Sequence, residues 1–313
     1  MHNTHTLSKA VIPVGGLGTR LLPATKVLPK ELLPVGRRPI VQYVVEEMRA
    51  AGLENICFVS GRKKALIQEH FDHDPELVRH LQDRRRDDLL GELAYLESGL
   101  HLQFVRQSGP QGLADALGLV EDFAGTQPFV MALGDSIICE TEIGALLRRM
   151  IRAHTENDAD VTIACEAVPP NRPRGNLRVI PANSAEAGDE VFDVGELTEG
   201  PQSGHRSGDL TIAARYVFGP AIFGAIHDTR AGHAGEVQLT DVIRTLLRKG
   251  SRIQAVRLGP GQTRHDIGSF GGYFRAFLEF ALLDPTYGDD VRVYLQELCA
   301  RMDGRSADSP DQE

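Results

Sequence analysis

Residues 10–39 read A-V-I-P-V-G-G-L-G-T-R-L-L-P-A-T-K-V-L-P-K-E-L-L-P-V-G-R-R-P, and this run constrains the fold more than any other part of the chain. An apolar stretch of β type, Ala10–Val14, runs straight into the glycines Gly15, Gly16 and Gly18. Without Cβ atoms these positions let a backbone come close to a phosphate with its N–H groups turned towards it. Arg20, Lys26 and Lys30 follow within one short loop, and Pro23, Pro29 and Pro34 fix φ at their own positions. The loop is therefore irregular but stiff. A strand that ends in such a loop predicts an α/β fold holding a polyanion such as a nucleoside triphosphate.

Two common phosphate-binding strings do not account for it. No G-x-x-x-x-G-K-[ST] occurs, and the dinucleotide pattern G-x-G-x-x-G meets Leu21 where its third glycine belongs. What remains is G-x-G-T-R-x-x-P-x-T-x-x-x-P-K. It resembles the nucleotide-binding opening of the sugar-1-phosphate nucleotidylyltransferases, and L-P-A-T-K-V-L-P-K-E-L-L-P-V is most similar to the bacterial UTP–glucose-1-phosphate uridylyltransferases. The resemblance extends over roughly residues 8–285.

Composition excludes several other classes. The chain has 313 residues, 42% hydrophobic and 25% charged, with a formal net charge of −9. An acidic surface does not suit a general nucleic-acid binder, which must displace counterions from phosphates. No apolar run has the length of a membrane span, and Met1–Lys9 is polar, so a cytoplasmic protein without membrane contact is expected. Cys57, Cys139, Cys165 and Cys299 lack C-x-x-C spacing and read as thiols in a reducing compartment.

Strands and helices alternate through the first half. Strands are expected at Ala10–Val14, Asn55–Ser60, Leu102–Val105 and Phe129–Leu133, with helices at Ile40–Ala51, Arg62–Phe71 and Leu113–Phe123. Short, nearly continuous apolar strands between helices predict a mostly parallel, Rossmann-like sheet with helices on both faces, of the nucleotide-diphospho-sugar transferase type. In the insertion Asp72–Gly99, the run Arg84–Asp88 reads as a solvated helix face. Strands at Asp160–Glu166, Val191–Leu197, Leu210–Phe218 and Arg252–Leu258 follow, with helices after Pro220 and at Leu239–Arg248 and Phe270–Leu283. Loops are expected at Pro169–Gly175, Pro181–Glu190 and Gly200–Gly208. No linker is visible. The expected organisation is one domain over 1–305, with a nucleotide half (about 8–140), a second half (about 141–285) and a C-terminal helix to about 303, then a disordered tail at 306–313.

Beyond the first loop, Asp135 ends the apolar strand of Leu133-Gly134-Asp135, where an acid faces the ligand crevice of an open sheet. Asp266 stands between a strand and a helix in Arg264-His265-Asp266-Ile267-Gly268. A hard Mg²⁺ on a triphosphate takes one or two protein carboxylates, and these two acids are the candidates. The resemblance implies the same pair as metal ligands. It further implies that Gln107 and Gly112, in R-Q-S-G-P-Q-G-L-A, hold a uracil ring, and that Glu236, in G-E-V-Q-L-T-D, packs beside the sugar. Ser60-Gly61-Arg62-Lys63 matches a nearby family turn. Arg20 and Lys30, assisted by Lys26, would hold the triphosphate as catalytic cations.

The second half departs from the family pattern. Of the family's V-E-K-P, Glu199 is kept as a sugar ligand, but Gly200 replaces the lysine that holds the sugar phosphate. Arg178 stands where a glycine lies against the sugar, and Ser136 where a second acid follows L-G-D. Arg178 is the candidate for the missing phosphate contact. The activity implied is transfer of a uridylyl group from UTP to glucose 1-phosphate, with Mg²⁺, by a homo-oligomer (dimer or tetramer). Transfer to another sugar 1-phosphate, and a catalytically weak regulatory homologue, are the alternatives that these departures leave open.

Overall fold

The computed structural model describes residues 7–97, 99–109, 111–168, 177–183, 188–199, 209–229 and 237–307. The loops expected at Pro169–Gly175 and Gly200–Gly208, together with Glu236, lie outside the described residues, as does the side chain of Glu199. The strands are β1 (Lys9–Pro13), the short pair β2 (Pro34–Val35) and β3 (Arg38–Pro39), β4 (Asn55–Ser60), β5 (His101–Arg106), β6 (Phe129–Ala132), β7 (Ser136–Cys139), β8 (Val161–Ala167), β9 (Leu177–Pro181), β10 (Val191–Glu199), β11 (Leu210–Phe218), β12 (Ile253–Arg257) and β13 (Thr263–Asp266).

Nine of these form one sheet among the described residues, in the order β5-β4-β1-β6-β11-β8-β12-β10-β9. Successive residues of β1 and β4 alternate between two cores: Val11, Cys57 and Val59 face one, while Ala10, Ile12, Ile56 and Phe58 face the other. Burial on both sides explains why these strands read as unbroken apolar runs.

The expectation of a mostly parallel sheet holds only for part of it. Strands β5, β4, β1 and β6 are parallel neighbours, as are β8 and β12. Strand β11 runs antiparallel to both β6 and β8, and β10 antiparallel to β12 and β9. The sheet is therefore mixed. All nine residues of β11 are buried, so its apolar run reports two covered faces and carries no information about direction.

Helix α1 (Ile40–Ala50) forms where sequence spacing places it, burying Ile40, Val41, Val44, Val45 and Met48 and stopping before Gly52, whose φ is +86°. The insertion holds α2 (Ala65–Phe71), α3 (Pro75–Asp83) and α4 (Asp87–Glu92). Arg84–Arg86 are not a helix face. They turn the chain between α3 and α4, with Arg85 at φ 52°, and Asp87 and Asp88 open the next helix. The single helix expected at 113–123 is two, α5 (Leu113–Gly118) and α6 (Glu121–Ala124). Further helices are α7 (Ala145–Glu156), α8 (Ala221–Asp228), α9 (Leu239–Arg248), α10 (Phe270–Leu282) and α11 (Gly288–Ala307). Helix α11 runs past residue 303 and takes in the first two residues of the expected tail; residues 308–313 lie outside the described ones. Helix α7, strand β9 and the β7–β13 pair have no counterpart among the elements expected from sequence.

Candidate active site

The glycine turn leaves β1 against β4, with Val14 N donating to Val59 O at 2.8 Å. A Cβ on Gly61 would come 3.0 Å from Gly15 O, so the two backbones pack without side chains between them. Gly18 takes φ +68° and opens the first of three single 3₁₀ turns, Thr19–Leu21, Ala24–Lys26 and Lys30–Leu32. The Thr25 hydroxyl ties the loop by donating to Gly18 O at 2.7 Å. These turns aim Arg20 and Lys26 outward, both exposed, and bring Lys30 back under the glycines.

Lys30 Nζ donates to Asp135 Oδ2. Burial weakens the charge on Lys30, but Asp135 and Glu31 more than offset it and hold the ammonium above its ordinary range. Asp135 shows the reverse balance: burial opposes its charge, and Lys30 draws the carboxyl below the usual range. Glu31, 1% exposed, forms a 2.6 Å ion pair with Lys64 beneath the loop. The Glu31 carboxyl is nonetheless pushed up by burial, against the pull of Lys64 and Lys30.

Asp135 and Asp266 meet through the backbone. Strands β7 and β13 pair antiparallel with Ser136 opposite Asp266, and Ile267 N donates to Asp135 O at 3.1 Å. Asp266 Oδ1 accepts from Gly268 N at 2.9 Å, closing the D-x-G turn. A Cβ on Gly268 would lie 2.7 Å from Arg20 Nη2, so the arginine of the first loop rests over the aspartate turn contributed by the second half.

A cleft of about 310 Å³ opens beside these groups, lined among others by Gly15, Gly16, Lys30, Gln107, Gly112 and Asp135. Gln107 Nε2 donates to Asp115 Oδ2 at 2.7 Å and Gly112 O at 3.3 Å. Its Oε1 faces Gly15, 3.0 Å from where a Cβ would stand. Gly112 requires glycine twice over: its φ is +99°, and a Cβ there would come 2.7 Å from Val237 O.

The structure thus brings together Gly15, Gly16, Lys30, Gln107, Gly112 and Asp135, with Arg20 and Asp266 joined at Gly268. Arg178 lies elsewhere, on β9, opposite Thr198 of β10 and Thr211 of β11, with Nη2 2.9 Å from Asp209 Oδ1. Glu199 is the last residue of β10, opposite Leu177. In the turn after β4, Arg62 and Lys63 are exposed and Lys64 is buried. Sequence reasoning gives no role to Glu31, Lys64 or Asp115. The only signal for them is adjacency, since Glu31 follows Lys30 and Asp115 follows the glutamine string by a few residues.

The residues fit a hard divalent cation. Two carboxylates from neighbouring strand ends, all-oxygen donors, match the one or two protein ligands that Mg²⁺ takes when phosphates fill the rest of its shell. No group of three or more His, Cys, Asp or Glu side chains stands close enough together to hold a metal ion among the described residues.

Residues 9–281 match the Nucleotidyl transferase family. The chain is 39% identical over 292 residues to UTP–glucose-1-phosphate uridylyltransferase 2 of Streptococcus pyogenes serotype M3, covering 93% of this chain and 95% of that one. It is 35% identical to UTP–glucose-1-phosphate uridylyltransferase of Staphylococcus haemolyticus, covering 93% and 98%. Among solved structures, the UTP-bound UGPase from Acinetobacter baumannii superposes with a TM-score of 0.80 at 32% identity, over 93% of this chain and 99% of that one.

Proposed function

The chain belongs to the Nucleotidyl transferase family, and we propose that within it this protein transfers the uridylyl group of UTP to glucose 1-phosphate, giving UDP-glucose and pyrophosphate. The observation that carries this reading is the contact of Lys30 with Asp135 at the floor of the cleft, with Arg20 over the Asp266 turn. Cations from a glycine loop and acids from two strand ends converge where a triphosphate would lie.

A phosphate oxygen of the sugar phosphate attacks the α-phosphorus of UTP, and the bond to the bridging oxygen of pyrophosphate breaks in line. The attacking oxygen is already anionic, so no base is needed, and positioning and charge neutralisation carry the catalysis. Lys30 and Arg20 hold the triphosphate and the leaving pyrophosphate, with Lys26 at the rim. Lys30 can do so without leaving Asp135, because its ammonium carries three donors and Asp135 Oδ2 takes one of them. Asp135 and Asp266 are the residues that would hold Mg²⁺, which when bound neutralises charge on the triphosphate. Gln107 reads the base: with Nε2 engaged by Asp115, Oε1 is left to accept from the N3–H of uracil, which cytosine lacks. Gly112 allows a flat ring to approach.

One observation supports a second acceptor. Gly200 stands where the family pattern has a phosphate-binding lysine, and Arg178 is tied to Asp209. Transfer to a different sugar 1-phosphate is therefore the second reading, with Arg178, Glu199 and Glu236 as the residues proposed for the sugar. Pyrophosphate release measured with UTP against a panel of sugar 1-phosphates, and with glucose 1-phosphate against a panel of nucleoside triphosphates, tests both. Highest kcat/KM for the UTP and glucose 1-phosphate pair is expected. A higher value for another sugar selects the second reading, and no turnover with any pair rejects both.

A further inference from the structure

Arg215 is the largest fully buried side chain of the described residues, 0% exposed in the middle of β11. Its Nε donates to Glu47 Oε1 at 3.0 Å and Oε2 at 3.1 Å, and its Nη2 to Glu47 Oε2 at 2.6 Å. Glu47, on α1, is itself buried. Buried ion pairs often stabilise a fold no more than well-packed apolar residues of similar volume would. Stability therefore gives no reason for two charges at this point, and the remaining donors indicate another role.

Those donors reach the turn that carries Asp135. Arg215 Nη2 donates to Ser136 O at 2.9 Å, and Nη1 to Ala214 O at 3.0 Å. Ala214 O also accepts from Leu133 N at 3.2 Å. Residues 214 and 215 thus anchor the turn Leu133-Gly134-Asp135-Ser136 at both ends. To do so β11 breaks its register with β8 between Ile212 and Tyr216, and Ala214 takes φ +60°, a conformation that a residue with a Cβ rarely adopts. On its other side the turn packs closely on the end of β1, where a Cβ on Gly134 would meet Val14 Cγ1 at 2.8 Å.

We propose that Arg215, oriented by Glu47, is a positioning residue for the metal-binding acids: it fixes the Asp135 turn and, through Ser136 opposite Asp266, the spacing of the two carboxylates. This rests on the reading of Asp135 and Asp266 as the metal acids. Arg215 touches neither substrate nor cation. It acts through the backbone, as outer-shell partners do when they orient metal ligands, and removal of such partners typically weakens metal binding about 10- to 100-fold.

The test uses the full chain with Mn²⁺ and UTP, following Mn²⁺ binding by electron paramagnetic resonance alongside thermal melting and uridylyl transfer. Arg215→Met combined with Glu47→Leu removes both charges and leaves no orphan. Arg215→Lys keeps a cation on Glu47 but lacks the planar fork that reaches Glu47 and Ser136 together. Both variants are expected to melt close to the wild type, to bind Mn²⁺ about tenfold or more weakly in the presence of UTP, and to lose kcat with little change in KM for UTP. A folded double variant with wild-type Mn²⁺ affinity overturns the proposal. If the double variant does not fold, Arg215→Lys decides on the same readout: weaker Mn²⁺ binding at unchanged melting temperature supports it, and unchanged binding overturns it. Wild-type protein that binds Mn²⁺ but transfers no uridylyl group counts against the proposed function alone, because the metal comparison needs no turnover.

Discussion

The Lys30–Asp135 pair and the Arg178–Asp209 pair each join a cation to an acid, but in different surroundings. At Lys30 both side chains are largely enclosed, 16% and 18% exposed, and Glu31 with Lys64 lies buried beneath them. At Arg178 the guanidinium side chain is 36% exposed while its partner Asp209 is 16% exposed, on a strand at the end of the sheet order. Charge in a half-closed cleft is weakly screened and acts strongly on whatever replaces its partner, whereas a cation open to solvent on one side shares more of its field with water. The first-half cluster is therefore suited to exchanging partners, while the second-half arginine is suited to staying where Asp209 holds it.

The most severe way to break this contrast is to remove the acids. Asp135→Asn and Asp266→Asn should each lower Mg²⁺-dependent turnover by on the order of 1000-fold with the fold intact, because each takes one hard ligand from the cation. Equal losses would mean that the two halves contribute alike to one centre. Near-wild-type rates in either variant would remove that residue from the site.

Lys30→Ala should lower kcat by about 100-fold, if its charge acts on the developing transition state more than on bound UTP. Steady-state kinetics over a range of UTP concentrations separate the cases. A change confined to KM would make Lys30 a uniform binding group and dissolve its difference from Arg178.

Arg178→Ala should cost about tenfold in kcat/KM for the sugar phosphate and, with the guanidinium partly open to solvent, on the order of 1 kcal/mol of stability. Adding Gly200→Lys should restore part of the loss if a cation at either position can meet the same phosphate, and the two changes should be non-additive. Full activity in Arg178→Ala would leave the sugar phosphate to other residues.

A last effect, on stability and not on turnover, involves neither pair. His154 of α7 is 4% exposed, with Nδ1 2.9 Å from Thr162 Oγ1, and burial pulls its pKa from 6.5 down to about 4, against the nearby Asp160 and Asp158. The unfolded chain binds that proton more readily than the folded one, so this contribution is present above about pH 6.5 and is lost as pH falls towards 4. Between pH 6.5 and 5 the loss should be roughly 1.5 kcal/mol. Urea melts across that range should show it, and His154→Gln should flatten the slope. An unchanged slope in the variant would assign the acid sensitivity to other groups.

Much of the fold is legible locally. Asn55–Ser60, Leu210–Phe218 and Leu239–Arg248 are strand, strand and helix over those same residues, because apolar periodicity reports which faces are covered. Strand direction is not legible: β1 and β11 are equally apolar, one among parallel neighbours and one among antiparallel ones. Strands β7 and β13 are each four residues long and exist by pairing with each other across more than a hundred positions of chain, and only β7, with Ile137-Ile138-Cys139, has an apolar strand-like run of its own. Helix α7 differs from β13: its buried Leu146, Leu147 and Met150 stand at helical spacing, so its signal is present in the sequence although the expected elements do not include it.

The composition of the phosphate site follows from the chain alone: glycines where a backbone must come close, prolines that stiffen, and three cations within eleven residues, all short-range properties of one loop. The place of Asp135 at a strand end follows in the same way. Tertiary packing was needed to set Asp266 beside it, to carry Arg20 to the Asp266 turn, to let Asp115 turn the amide of Gln107, and to bring Arg215 from β11 to Ser136. Apart from the Gln107–Asp115 contact, which spans only eight residues, each of these depends on strand order and direction, which arise from packing two cores at once and leave no mark on neighbouring residues in the chain.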